Sequence, residues 1–181
     1  SRIVSLSNGA SSGIVEAFKA AAAHCPLTPA IELIGEKWTI LILRGSVSGI
    51  RHFEEFQAAL GIARNILSNR LGRLVDSGVL QRSPDSADRR RVVYTLTEKG
   101  RDLLPTLVAL RQWSEKWVTG PPRVVLADKT TGEQLRPIVV CAQDGRIVGP
   151  DDLTWIDTRP ERTGGGSSRS VAATTLGADY S

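Results

Sequence analysis

The sequence of 181 residues contains no methionine and only two cysteines, Cys25 and Cys141. Two cysteines are too few for a disulfide framework, and they suit a reducing cytoplasm. Because methionine is missing even at position 1, we expect that the numbered start is not the translated start.

Long hydrophobic runs are also missing. The longest strongly apolar stretch is WTILIL, residues 38–43, whereas a membrane-spanning helix needs about 20 such residues. Residues 1–23 do not show the basic start and apolar block of a signal peptide. We therefore expect a cytoplasmic protein without a membrane partner.

Groups that carry catalysis are scarce. The chain has two histidines, His24 and His52, and neither has an obvious partner in the sequence. No nucleophile elbow, phosphate loop, metal-ligand cluster or pair of catalytic carboxylates is recognisable. General-base catalysis is therefore unattractive, and the sequence predicts neither an enzyme nor a cofactor.

Positive charge is present in one part of the chain. Of 23 Lys and Arg and 19 Asp and Glu residues, the stretch 64–101 holds nine basic and four acidic ones, which leaves 14 and 15 elsewhere. The stretch therefore carries a charge of +5 and the remainder −1. Charge localised in this way is typical of a surface that binds a polyanion.

Apolar spacing and helix-ending residues predict a series of helices before residue 77. They are expected from about Ser12 to residue 24, over 26–34 before Gly35, over 37–48 as a buried central helix, over 51–60 as a short amphipathic helix, and over 64–76. Residues 61–63, a short turn containing Gly61, join the last two, which is the pattern of a helix-turn-helix.

The second of these two helices has two different faces. Its apolar side carries Ile66, Leu67, Leu71, Leu74 and Val75. Its polar side carries Arg64, Asn65, Ser68, Asn69 and Gly72. An ordinary exposed face mixes lysine with glutamate, but this helix has no carboxylate before Asp76. The polar stripe is therefore a candidate binding surface.

Strands are predicted after the helix-turn-helix. VLQRS and RVVYTLT flank the turn-forming PDSADRR, which predicts a β-hairpin. Thr97 is expected to cap a long helix over 98–118, and Pro105 is expected to kink it. Residues 120–159 predict a small antiparallel hairpin or three-stranded appendage, and 160–181 predict a flexible tail.

Four segments together resemble a known family. CPLTPAIELIGEKWTILILR, RHFEEFQAAL, GIARNILSNRLGRLVDSGVLQR and RRVVYTLTEKGRDLLPTL resemble, in order and spacing, the HxlR-type winged-helix transcriptional regulators of bacteria, relatives of the MarR group. The resemblance runs from Cys25 to about Trp117. It implies a mainly α fold with a β-wing. It also implies a homodimeric repressor or activator that binds pseudo-palindromic double-stranded DNA and is therefore associated with the nucleoid.

In domain terms, this predicts a winged helix-turn-helix over 25–119. Residues 1–24 are expected to form an N-terminal lead and a helix used in dimerisation. Residues 120–159 are expected to form the β appendage, and residues 160–181 the flexible tail.

The resemblance assigns roles to the basic and polar residues. Arg64, Asn65, Ser68 and Asn69 become candidate base readers, because Asn suits adenine edges and Arg suits guanine in the major groove. Arg51 and Arg73 are better placed for phosphates. Arg89, Arg90 and Arg91 form the wing, and Arg89 or Arg90 could enter a minor groove. The alternative is that the stripe is a solvated face and the arginine run a solubilising turn.

The long helix offers a second surface. Leu103, Leu107, Leu110, Trp113 and Trp117 exceed what one small winged helix covers. The alanine-rich first helix of a partner subunit could pack against them. A twofold dimer of this kind would place the two copies of the helix predicted over 64–76 roughly 34 Å apart, about one turn of DNA. The alternative is that these residues cap the core of their own domain.

Cys25 is the candidate redox sensor. It precedes Pro26 at a predicted helix start, where a thiol can become reactive. Several HxlR-type regulators sense electrophiles or oxidants through a cysteine at the matching position, which implies a small-molecule or oxidant effector. The alternative is an inert, half-buried thiol.

The C-terminal appendage departs from the family pattern. Many relatives carry a Cys-Gly and a later CxxCG that look like a zinc ribbon. Here Thr131 precedes Gly132, and Asp144 stands three residues after Cys141, in the place of the second cysteine of CxxCG. One thiol cannot supply the four ligands of a structural zinc site. We therefore expect a degenerate, metal-free appendage.

A different function class is also compatible with this fold. A winged helix can act as a protein-interaction module without specific DNA binding. The +5 stretch argues against this alternative, and the salt dependence of binding discriminates between the two.

Overall fold

The computed structural model describes residues 2–4, 19, 22, 25–153 and 155–157. The predicted first helix lies outside this set, apart from Lys19 and Ala22, which are helical. The predicted tail, 160–181, lies outside it entirely. The described residues divide into two compact units. Pro26–Ile138 form the larger one, and the described parts of Ser1–Cys25 and Val139–Ser181 form the other.

Four helices begin the larger unit. They are α1 (Leu27–Ile34), α2 (Lys37–Val47), α3 (Phe53–Leu60) and α4 (Arg64–Asp76). Each was predicted within one or two residues, because each ends at a local signal. Gly35 closes α1 by donating its amide to the carbonyl of Ile31 at 2.7 Å. Ser77 and Gly78, which has φ of +72°, end α4.

The core lies where these helices meet the hairpin that follows them. Its buried members are Ile42, Leu43, Phe56, Ile62, Leu67, Leu71, Leu74, Val79 and Leu80. The central helix α2 approaches α3 closely at Gly45, because a Cβ there would lie 3.0 Å from Cε1 of Phe56. This packing fixes α3, and therefore the turn into α4.

The predicted hairpin is present as β2 (Leu80–Pro84) and β3 (Val92–Leu96). The strands are antiparallel, with Leu80 opposite Leu96 and Pro84 opposite Val92. A β-bridge between His52 and Val93 adds the segment before α3 as a third backbone partner. The fold is mainly α with a β-wing, as predicted.

The prediction of one kinked helix after Thr97 was wrong in detail. The chain forms α5 (Glu98–Arg101), a turn, α6 (Leu104–Ser114) and a π-helical turn (Glu115–Thr119). Pro105 has no amide hydrogen, and its ring clashes with the carbonyl four residues earlier, so the helix breaks after Arg101. Thr97 does cap α5, since its Oγ1 accepts from the amide of Gly100 at 3.2 Å.

The smaller unit contains a strand pair that the sequence did not reveal. Three residues of the predicted lead form β1 (Arg2–Val4), which pairs antiparallel with β4 (Trp155–Asp157). The sequence analysis placed these residues in the N-terminal lead and predicted no strand there, because a three-residue strand has too short a pattern to recognise and its partner lies far along the chain.

The predicted appendage, expected as a small antiparallel hairpin or a three-stranded unit over 120–159, instead contains two short bridged turns before β4. Ala127 bridges Gln134 in the larger unit, and Cys141 bridges Ile147 in the smaller one. In the second turn the amide of Ala142 donates to the carbonyl of Arg146 at 2.8 Å.

Candidate nucleic-acid interface

The turn between α3 and α4 sets the direction of the second helix. Gly61 adopts φ of +61°, which favours glycine, and its amide donates to the carbonyl of Gln57 at 3.0 Å. Ile62, only 3% exposed, then fixes the turn in the core. The helix-turn-helix predicted from the spacing is present.

Helix α4 turns its two faces in the predicted directions. Its buried side chains are Leu67, Leu71 and Leu74. Four polar side chains of the predicted stripe are exposed, namely Arg64, Asn65, Ser68 and Asn69. Ile66 differs from the prediction, because it is 37% exposed rather than packed in the core. We call the four exposed side chains the recognition face, and it contains no carboxylate.

The start of α4 is electrostatically open to an anion. Ala63 offers no side-chain cap, and the first turn contains no acidic residue. The amides of this turn therefore keep their partial positive charge. Arg64 adds a full charge there, and its guanidinium lies over the ring of Phe53 at 4.8 Å. A phosphate is the group that such a helix start favours.

Two further arginines of α4 are held by a residue that the sequence analysis missed. Glu36, between α1 and α2, forms ion pairs with Arg70 and with Arg73, the latter at 3.4 Å. Arg73 also donates to the carbonyl of Glu32 at 3.2 Å. Its side chain is 46% exposed, so the predicted phosphate ligand is oriented by the α1–α2 junction. No local pattern in the sequence indicated this contact, because Glu36 and Arg73 are 37 positions apart.

The wing presents the predicted arginine run. Arg89, Arg90 and Arg91 are exposed in the loop 85–91 between β2 and β3. The loop backbone is ordered by two aspartates, since Asp85 Oδ1 accepts from Ala87 at 2.8 Å and Asp88 Oδ1 from Arg90 at 3.0 Å. The three cations are therefore carried on a defined turn.

Arg51 lies at the base of the wing. Its carbonyl accepts the amide of Tyr94 at 2.8 Å, and its own amide donates to Glu55 Oε2 at 3.1 Å. The side chain is exposed. The backbone of this predicted phosphate ligand is thus fixed between α3 and β3.

His52, which has no obvious partner in the sequence, has two in the structure. Its Nε2 lies 2.8 Å from Asp85 Oδ2, and its Nδ1 lies 3.0 Å from Glu55 Oε1. The side chains of His52 and Asp85 are only 14% and 16% exposed. The Glu55 contact spans three residues and is a local helix-start pattern, whereas the Asp85 contact needs the folded hairpin.

Hydrogen bonds shift the pKa values of all three groups. Hydrogen bonds to Asp85 and then Glu55 raise the pKa of His52 above 6.5. The backbone amides of Arg51 and His52, together with the ring, lower the pKa of Glu55 to about 2. The amide of Ala87, followed by the ring, lowers the pKa of Asp85. All three shifts favour the charged forms.

The candidate dimer residues fall into two groups. Leu103 and Leu107 pack against the core of their own chain, as the alternative interpretation held. Leu110, Trp113 and Trp117 are 51%, 60% and 66% exposed. The interface hypothesis therefore rests on the second group, which we call the α6 apolar face.

A groove runs along the α6 apolar face. It has a volume of about 850 Å³, and its lining includes Trp113, Trp117 and Ile138. Gln112 binds the backbone of the segment 136–138, which lines the groove at Ile138. It donates to the carbonyl of Arg136 at 3.0 Å and accepts from the amide of Ile138 at 2.8 Å.

The cysteines are both free thiols. Cys25 is half-buried, and its amide donates to the carbonyl of Ala22 at 3.2 Å, while Cys141 is exposed. Within the described residues, no group of three or more His, Cys, Asp or Glu side chains could hold a metal ion. None of the helices in the described part of the chain has the length and hydropathy of a membrane span.

Comparisons with known proteins agree with this geometry. The family model for an HxlR-like helix-turn-helix matches residues 33–121. An uncharacterized HTH-type transcriptional regulator of Mycobacterium bovis, Mb3122, is 41% identical over 127 residues, which are 69% of this chain and 80% of that protein.

Two solved structures are similar over most of the chain. The candidate transcription factor PA1607 superposes with a TM-score of 0.68 at 37% identity, covering 80% of this chain and 99% of that one. The candidate transcription factor PA1374 of Pseudomonas aeruginosa has a TM-score of 0.53 at 35% identity, covering 76% and 96%.

Proposed function

We propose that this chain, a transcriptional regulator that belongs to the HxlR-like helix-turn-helix family, acts as a homodimer on a pseudo-palindromic operator. The operator lies in the double-stranded DNA of the nucleoid, so the proposed location of the protein is the cytoplasm. The observation that carries the proposal is the recognition face of α4, which is exposed and free of carboxylates, together with the three exposed arginines of the wing loop in the same unit.

In this proposal the part of the DNA that each polar side chain contacts depends on its position. Asn65 and Asn69 read adenine edges in the major groove, and Arg64 reads guanine or a phosphate near the helix start. Arg51 and Arg73, whose surroundings fix their backbone or side chain, bind phosphates and set the register. Contacts of this kind provide affinity rather than sequence preference.

The wing supplies the contacts outside the major groove. Arg90, or its neighbour Arg89, enters a narrow minor groove, where the enhanced negative potential attracts arginine. Arg91 stays near the root of the loop, because its carbonyl accepts the amide of Asp85 at 2.9 Å and its own amide donates to the carbonyl of Asp88 at 2.9 Å.

Dimerisation is proposed through the α6 apolar face. Two tryptophans and a leucine, each more than half exposed, line one side of α6 and the π-helical turn. Exposed apolar surface of this kind usually marks an interface. A twofold axis there would duplicate the recognition face, which matches the symmetry of a pseudo-palindromic site.

Cys25 is proposed as the sensor of an oxidant or electrophile. The support is its position directly before Pro26 and α1, at the place where the family carries sensing cysteines, and its partial exposure. Modification of the thiol would then release the operator. The segment 120–159 is proposed to be a metal-free appendage, since its one thiol cannot complete a zinc site.

Selection of bound genomic fragments tests the proposal. Fragments enriched by the wild-type protein should share an inverted repeat. Binding to one of them should weaken steeply between about 50 and 200 mM salt, because each phosphate contact releases counterions. Enrichment without a shared sequence, or affinity independent of salt, would favour the protein-interaction module instead.

The same selection, repeated with diamide, tests the sensor. The wild-type protein should lose its fragments on oxidation, whereas Cys25→Ser should retain them and Cys141→Ser should respond like the wild type. An equal response in Cys25→Ser and wild type would remove Cys25 from the proposal without affecting operator recognition.

A further inference from the structure

The ring of His52 is placed between two carboxylates that come from different elements. Asp85 lies just after β2, at the root of the wing loop, and Glu55 lies in the first turn of α3. Carboxylate oxygens only accept hydrogen bonds, so both ring nitrogens must carry hydrogen for both contacts to form. The imidazolium form is the one that satisfies both contacts at once.

We propose that protonated His52 is a positioning residue for DNA binding, which fastens the wing to the helix-turn-helix so that operator affinity depends on its charge. This inference rests on the proposed function. It adds to that function a residue that contacts no base or phosphate, and a dependence on pH that the recognition face alone would not produce.

Asp85 is the point through which the ring acts on the wing arginines. Its amide donates to the carbonyl of Arg91 at 2.9 Å, which joins the two ends of the loop 85–91. Its Oδ1 accepts the amide of Ala87, and its Oδ2 is left for His52. The orientation of the loop that carries the three cations is therefore set by a side chain whose remaining oxygen is bound by the ring.

Glu55 completes the link on the side of the helix-turn-helix. Its Oε2 accepts the amides of Arg51 and His52, both at 3.1 Å, while its Oε1 contacts the ring. The backbone bridge between His52 and Val93 runs alongside these contacts. Loss of the ring's charge would leave that bridge in place and loosen the loop, rather than unfold the domain.

The direction of the pH effect follows from the groups that face the ring. Asp85 and Glu55 favour its charge, and Arg91 opposes it, with a net rise of its pKa above 6.5. A raised pKa in the folded state means that the fastening is complete below the ordinary value and is lost as pH rises through the folded value. Operator affinity should therefore fall on the alkaline side.

Operator affinity measured from about pH 6 to about pH 9 tests the inference. The wild type should lose about tenfold in affinity over this range, the size expected for one charge-assisted hydrogen bond. His52→Gln should bind more weakly at the acidic end and show a flat profile. His52→Arg should be flat but retain affinity at the alkaline end, since a guanidinium stays charged and can donate to both carboxylates.

His24→Gln, in the chain's other histidine, is the matched control and should keep the wild-type profile. A profile that is the same in wild type and His52→Gln would overturn the inference while operator binding itself stands. Absence of operator binding by the wild type at every pH would instead refute the proposed function.

A measurement without DNA distinguishes failure of this inference from failure of the proposed function. An NMR titration of the ring should show a pKa raised above 6.5. The protection of the amides of residues 85–87 from exchange, relative to their intrinsic rates at each pH, should fall as the ring loses its proton. A pKa of His52 at its ordinary value would overturn the inference, whether or not an operator is known. Amide protection in this loop that does not change with the protonation of the ring would overturn it as well.

Discussion

Replacing Asn69 and Arg90 together with alanine is expected to abolish specific operator binding while leaving a folded dimer. Both side chains are exposed, and neither belongs to the core, so the free energy of unfolding should hardly change. An asparagine–adenine pair contributes about 1–3 kcal/mol of discrimination, and a dimer contains two copies of each residue. Together with the lost wing contact, we expect a decrease of ~1,000-fold in operator affinity.

Fluorescence anisotropy with a selected fragment measures this decrease. Arg123→Ala with Gln143→Ala is the matched control, because it removes the same charge and one side-chain amide at exposed positions outside the stretch 64–101. The control should bind like the wild type. Unchanged affinity in Asn69→Ala with Arg90→Ala, or an equal decrease in the control, would remove these residues from the assignment.

Replacing Trp113 and Trp117 together with glutamate is expected to give a monomer that no longer holds the operator. Both indoles are about two-thirds exposed, so the isolated subunit should tolerate the change and keep its core. In the dimer, however, buried and unpaired carboxylates would be strongly unfavourable. A monomer engages one half-site, and losing the second should lower the affinity by at least ~100-fold.

Sedimentation and anisotropy on the same samples check both parts of this expectation. Val140→Glu with Ile147→Glu is the control, because these apolar side chains, 63% and 64% exposed, lie outside the α6 apolar face. It should remain dimeric. A Trp113 and Trp117 variant that sediments as the wild type does would show that the copies meet elsewhere.

Local signals in the sequence account for most of what could be predicted. Gly35, Gly61 and Gly78 mark the ends of α1, α3 and α4, and Thr97 marks the start of α5, so the order of elements follows from residues a few positions apart. The two faces of α4 follow from helical periodicity in the same way.

Features that depend on distant residues could not be predicted. The contact from His52 to Asp85 spans 33 positions, and that from Glu36 to Arg73 spans 37. Each needs the hairpin or helix packing to be known first. Periodicity likewise could not tell Leu103 and Leu107, which pack on their own core, from Leu110, which is exposed on the same segment.

A footprint of the wild-type protein on a selected operator tests most directly whether two copies of the recognition face of α4 enter one duplex. We predict two protected blocks whose centres lie about one helical turn, roughly 34 Å, apart, each flanked by a region protected by the wing. One block, or even protection along the fragment, would contradict the account.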